Sequence, residues 1–138
     1  MMLTEQERKK VLEEAVHIAV VGCSDKPHRT SYQIAEALIA SGYKVTPVNP
    51  NIEEVFGIKA AASIGDVNEP VDIVNVFRQS RHVAGLAEEC LQTDIPVFWT
   101  QLGIRDLTAA EKLEREGKQV VMDYCIKVEH ARLIGKKK

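Results

Sequence analysis

One short polar stretch concentrates hydroxyls and cations: Gly22-Cys23-Ser24-Asp25-Lys26-Pro27-His28-Arg29-Thr30, followed by Ser31. It joins an apolar run, His17-Ile18-Ala19-Val20-Val21, to a segment with helical spacing. Backbone N–H groups at a strand-to-helix turn, with the positive end of the helix behind them, form a cradle for phosphate. The stretch is not a GxGxxG fingerprint, because Gly22 is its only glycine, and it lacks the Lys-Ser/Thr pair of a P-loop. Its hydroxyls and cations could instead hold more phosphate charge than a pyrophosphate alone presents. A solvated turn with no ligand is the competing structural reading.

The end of the next strand bears on which nucleotide would fit. An NAD site carries Asp or Glu there to bond the ribose hydroxyls. This chain has Val48-Asn49-Pro50, with no carboxylate until Glu53. A carboxylate would repel a phosphorylated ribose, so its absence fits NADP and coenzyme A alike. NADP more often comes with glycines at the pyrophosphate and a separate substrate domain, and neither is visible. Read as structure alone, Pro47 and Pro50 simply terminate the strand.

The remaining reactive side chains form no constellation. Cys23, Cys90 and Cys125 are odd in number and lack CxxC spacing, which argues against a disulfide framework or a zinc site. His17, His28, His82 and His130 show no HxxxH pattern, so no metal site and no catalytic residue is expected. Trp99 closes an apolar run, where core packing is the expected role and stacking on a ligand the alternative.

The elements that must position these residues alternate between helix and strand. Thr4-Glu5-Gln6-Glu7 reads as a capping box opening an N-terminal helix within residues 1–15. The run at 17–21 does not alternate, as expected for a parallel strand covered on both faces. A helix capped by Thr30 or Ser31 follows, with Gly42 at its end. Strands are expected at 43–48, 71–77, 95–99 and 119–122, the one at 43–48 losing its hydrogen bonding at Pro47. Residues 52–56 read as a helical turn closed by Gly57. Ser80 and a second capping box, Thr108 to Glu111, are expected to start two further helices, and a last helix covers 126–134. The pattern predicts a three-layer Rossmann-like α/β fold. Its five-stranded parallel sheet is expected in order 3-2-1-4-5, with helices on both faces. A ligand would then lie over the carboxyl ends of the strands, against the loops at 22–30, 49–50, 77–80, 100–105 and 123–125.

Composition sets the limits. The 138 residues allow one core, burying roughly 68% of the unfolded surface by size scaling. The expectation is a single domain over 1–138, too short for separate cofactor and catalytic domains. Lys and Arg total 18 against 20 Asp and Glu, so a net charge of −2 gives no field for nucleic acid or an anionic membrane. Residues 135–138 read as a basic solvated tail. No apolar stretch approaches the ~20 residues of a membrane helix, and the charged start lacks a signal-peptide core, so a cytoplasmic location is expected.

Four segments together carry a resemblance. They are Val-Val-Gly-Cys-Ser-Asp-Lys-Pro-His-Arg-Thr-Ser-Tyr (20–32), Gly-Tyr-Lys-Val-Thr-Pro-Val-Asn-Pro (42–50), Trp-Thr-Gln-Leu-Gly (99–103) and Val-Met-Asp-Tyr-Cys-Ile-Lys-Val-Glu-His (121–130). In order and spacing they resemble the small bacterial CoA-binding domain proteins, from about Val16 to Leu133. The fold is similar to the N-terminal CoA-binding domain of the succinyl-CoA synthetase α subunit.

The resemblance implies that Gly22, Cys23, Ser24, Asp25 and Lys26 hold the pyrophosphate and adjacent phosphate, and that Arg29 adds charge for the 3′-phosphate. It implies that Val48, Asn49 and Pro50 border the adenosine, that Phe77 and Arg78 contact the nucleotide, and that Gln101 and Gly103 lie near the pantetheine. The synthetase resembles this chain in having a Cys at the position of Cys125, a candidate contact for the CoA thiol; a small packing residue is the alternative. Cys23, often Ala in the family, and Cys90 are read as packing. Tyr124 stands where the family often has Arg, which puts an anionic contact there in doubt.

The resulting expectation is a CoA-binding protein without catalysis of its own, its ligand CoA or an acyl-CoA. The alternatives are an NADP-binding reductase, a CoA-binding component of an acyl-CoA ligase, or a bare interaction domain. A homo-oligomer or a protein partner stays open.

Overall fold

Strands without polar alternation need cover on both faces, and the computed structural model, which describes residues 1–135, shows what supplies it. The expected basic tail, apart from Gly135, lies outside the described residues. In chain order the elements are α1 (Glu5–Glu14), β1 (His17–Val21), α2 (Thr30–Ala40), β2 (Lys44–Val48), β3 (Glu54–Val55), β4 (Ile58–Lys59), β5 (Ile73–Val76), α3 (Val83–Leu91), β6 (Val97–Thr100), α4 (Leu107–Arg115), β7 (Gln119–Val121) and α5 (Ile126–Leu133).

Five strands form one parallel sheet in the order β2-β1-β5-β6-β7. One face, with Ala19, Val21, Val74, Val76 and Phe98, packs on α3 and α4 through Val83, Leu86, Ala87, Ala110 and Leu113. The other, with Ile18, Val20, Ile73, Val97 and Trp99, packs on Leu12, Ile34, Leu38 and Ile126 from α1, α2 and α5. This is the expected Rossmann-like architecture, but the strand at 71–77 is not its third position. β5 pairs directly with β1, register Val21 to Val76. The outer place beside β2 goes to a rudiment, the parallel bridge of Val48 with Ala61. Counting that bridge as the third position, the sheet runs 3-2-1-4-5 outward to β6, with β7 beyond it. The chain therefore reverses its winding between β1 and β5, which opens the crevice between Gly22 and Phe77.

Several local expectations need correction. β2 stays paired past Pro47: Gly22 N–H donates to Val48 O at 2.8 Å. Pro47 tolerates this because its backbone faces the outer edge, where its carbonyl accepts from Ala61 N–H at 2.9 Å and no donor is needed. Residues 52–56 are not a helical turn. Phe56 and Gly57, with φ of 58° and 72°, are the two-residue tip of the β3–β4 hairpin, as a type I′ turn requires. Helix starts also shift. α4 begins at Leu107 because Asp106 caps it, accepting from Ala109 N–H at 3.0 Å, so Thr108 is already inside. Ser80 starts a 3-10 turn and its hydroxyl accepts from Arg105 N–H at 3.1 Å instead of capping α3. The capping box of α1 and the turn at Gly42, which donates to Ile39 O at 3.0 Å while Tyr43 donates to Leu38 O at 3.1 Å, are as expected.

Candidate functional site

Gly22 ends β1 with φ of +81°, a conformation other residues adopt at a cost. A Cβ there would lie 2.6 Å from Phe77 O and 3.1 Å from Arg78 Cδ, so the stem of Arg78 rests on bare backbone. The loop beyond is tied back on itself. Ser24 N–H donates to Ser31 Oγ and Lys26 N–H to Ser24 Oγ, both at 3.0 Å. Asn49 binds this loop to the end of β2, its Nδ2 donating to Cys23 O at 2.9 Å while its Oδ1 accepts from Asn51 N–H at 2.9 Å. α2 then starts at Thr30, and its N-cap residue Arg29 gives no side-chain cap, so its first N–H groups face the loop. Thr30 or Ser31 was expected as the cap; Thr30 is already the first residue of the helix, and the Ser31 hydroxyl serves Ser24 instead.

These features surround a cleft of about 610 Å³. Gly22, Arg29, Val48, Asn49, Pro50, Phe77 and Arg78 line it together, seven of the residues singled out from sequence. Ser63, Ile64, Arg81, His82, Leu86 and Glu89 are also on its wall. A larger hollow of about 750 Å³ runs along the start of β2, bordered by Lys44, Lys59 and Asp66. It lies away from the carboxyl edge of the sheet and from the crevice at β1 and β5, so the smaller cleft is the functional candidate.

Cys23, Ser24, Asp25 and Lys26 belong to the loop but not to the wall of the cleft. Cys23 is fully buried, and burial, with Asp25 adding, pushes its thiol up to about 11. Lys26 is exposed and lies 3.9 Å from Asp25. Gln101, Gly103 and Cys125 form a second group. Asp123, at φ 67°, accepts from Gly103 N–H, and its own N–H donates to Thr100 Oγ1 at 3.1 Å, joining the turns after β6 and β7. Cys125 is half-buried at the start of α5. The Tyr124 ring lies under Arg8, 4.3 Å from its guanidinium, so position 124 meets a cation from α1. Trp99 is buried, its indole N–H donating to Tyr124 O at 2.8 Å, which is the core role. Among the described residues no group of three His, Cys, Asp or Glu is placed to hold a metal ion. No helix there is long and apolar enough to cross a membrane.

A family model described as CoA binding domain matches residues 16–131. The chain belongs to the CoA-binding domain family. This CoA-binding domain protein is 48% identical to YneT, an uncharacterized protein of Bacillus subtilis, over 93% of this chain and 95% of that one. It is similar to a solved structure from Thermus thermophilus with a TM-score of 0.90 at 38% identity, covering 95% of this chain and 99% of the other. It is also 31% identical to the α subunit of an ADP-forming acetate–CoA ligase from Pyrococcus furiosus, over 75% of this chain but 23% of that subunit.

For this CoA-binding domain, the residues missed from sequence are of two kinds. Arg81 and His82 stood in plain view in Arg78-Gln79-Ser80-Arg81-His82, a cationic run just past a strand, and that run was a usable signal. Ser63 and Ile64 carried none, because the bridge from Val48 to Ala61 brings them to the cleft.

Proposed function

We propose that this protein binds coenzyme A or an acyl-CoA in the cleft at the carboxyl edge of the sheet and has no catalysis of its own. The observation that carries the reading is the crevice at Gly22. There bare backbone, the uncapped start of α2 and the stem of Arg78 meet with no carboxylate at the end of β2. The pyrophosphate lies along Gly22, Cys23, Ser24, Asp25 and Lys26, held by the uncapped N–H groups at the start of α2 and by flanking cations. Val48, Asn49 and Pro50 border the adenosine, with Phe77 and Arg78 across from them. Gln101 and Gly103 guide the pantetheine toward Cys125.

Isothermal titration tests this against NAD and NADP. CoA binds tightest if the reading holds, and tighter binding of either dinucleotide refutes it. Lys26→Glu, at an exposed residue outside the cleft wall, weakens CoA and dephospho-CoA equally, as expected of a pyrophosphate contact. A second reading, the CoA-binding component of an acyl-CoA ligase, is favoured by the likeness to the ligase α subunit. ADP-forming ligase activity on mixing with a co-purifying subunit would establish it in place of the first.

A further inference from the structure

Two arginines and a histidine crowd the lip of the cleft formed by the 3-10 turn Ser80–His82. Arg8, Arg105 and Arg132 each lie beside a carboxylate. Arg78 and Arg81, among the described residues, have none within ion-pair distance, although Glu89 lines the same cleft. Arg81 is also oriented. Its Nε donates to Gln79 Oε1 at 2.8 Å, which leaves the two terminal nitrogens for a bidentate partner. His82 records the same excess charge: partial burial, then Arg78 and Arg81, hold its pKa below the ordinary value. The remaining charged groups on the wall are Arg29, from the start of α2, and Glu89, from α3; β2 and its turn contribute only Val48, Asn49, Pro50 and Asn51.

We propose that Arg78, Arg81 and His82 form a phosphomonoester subsite that distinguishes a nucleotide bearing a ribose phosphate from one without it. Two arginines with no carboxylate partner, beside a histidine whose ring can share a hydrogen bond, suit a dianion, whereas the uncapped start of α2 suits the singly charged groups of a pyrophosphate. The subsite reassigns to the turn after β5 a role that the sequence had given to Arg29. The inference rests on the reading of the cleft as a CoA site.

Titration with CoA and dephospho-CoA on the full chain tests it. The wild type binds CoA at least about 10-fold tighter, the scale of one charge-assisted contact. Arg81→Gln, at an exposed side chain, removes most of that preference and leaves dephospho-CoA within about twofold of wild type. Adenosine 3′,5′-bisphosphate competes with CoA in the wild type and loses affinity in the variant. Equal losses for CoA and dephospho-CoA, or no loss for either, overturn the subsite while leaving CoA binding intact. A wild type that binds neither ligand overturns the CoA reading and this inference together.

Discussion

The carbonyl oxygen of Phe77 stands where a side chain on Gly22 would begin, 2.6 Å from an ideal Cβ. Gly22→Ala must therefore both hold a left-handed backbone and push β5 away from β1. The conformational part alone costs about 1–2 kcal/mol. Gly103, at φ +85° with nothing within 4 Å of its Cβ position, supplies the control. In urea unfolding, Gly103→Ala shows the conformational loss only and Gly22→Ala shows more. CoA affinity falls at least about 10-fold for Gly22→Ala, because the crevice itself shifts.

Arg8 and Glu129 form a buried pair at 2.8 Å that fastens α1 to α5, and Arg8 also donates to Leu3 O at 3.0 Å. Removing Arg8 leaves Glu129 held by Arg132 alone, at 3.2 Å, so Arg8→Ala loses less than the ~3–5 kcal/mol of a fully stranded partner. Replacing both by apolar residues of similar size, Arg8→Met with Glu129→Leu, recovers most of it. Denaturant midpoints decide the matter: a loss under ~1 kcal/mol for the single change would mean that Arg132 or water satisfies Glu129 without Arg8.

Alkaline stability follows from three raised acids, one of them the Cys90 thiol, which burial also lifts. Burial lifts the Cys23 thiol from 9.0 to about 11 and the Tyr43 phenol from 10.0 to about 12. Between those values the unfolded chain has released protons that the folded chain keeps, so ΔG of unfolding falls as pH rises. The decline starts near pH 9, approaches about 1.4 kcal/mol per pH unit for each group inside its window, and levels off above 12. Cys23→Ala removes its own share of the earlier decline and leaves that of Cys90. An unchanged profile would rule out Cys23 as one of its sources.

Thiol chemistry should separate the three cysteines. Cys23 and Cys90 are buried and Cys125 is half-buried. Incubated with CoA disulfide, the Cys125 thiolate attacks one sulfur, the CoA–CoA bond breaks, and one CoA thiolate leaves as a mixed disulfide forms. Intact-mass measurement should find one CoA adduct on the wild type and none on Cys125→Ser, which still binds reduced CoA. An adduct that persists in the variant assigns the reaction to another cysteine.

The parts of this fold that sequence disclosed are those that local physics decides. His17-Ile18-Ala19-Val20-Val21 needed no partner to announce a doubly covered strand, and Thr4 with Glu7 announced its own helix start. Errors came where a distant segment intervened. Ser80 carries the chemistry of a helix cap, yet Arg105 N–H takes its hydroxyl; Pro47 looks like a strand end until Ala61 arrives on its outer side. In the cleft, Gly22 and Asn49 were legible because each does something only its residue type can do. Ile64 and Leu86 are apolar residues like many others, and only the folded chain sets them on one wall.

The pairing of Pro47 with Ala61 has a consequence for the protein in a crowded solution. An edge strand is a template on which another chain can add, the first step toward aggregation. β2 offers no N–H at Pro47, commits that carbonyl to Ala61, and places the exposed charge of Lys44 at its other end. The side of the sheet that borders the candidate cleft is thereby a poor place for a second copy to nucleate.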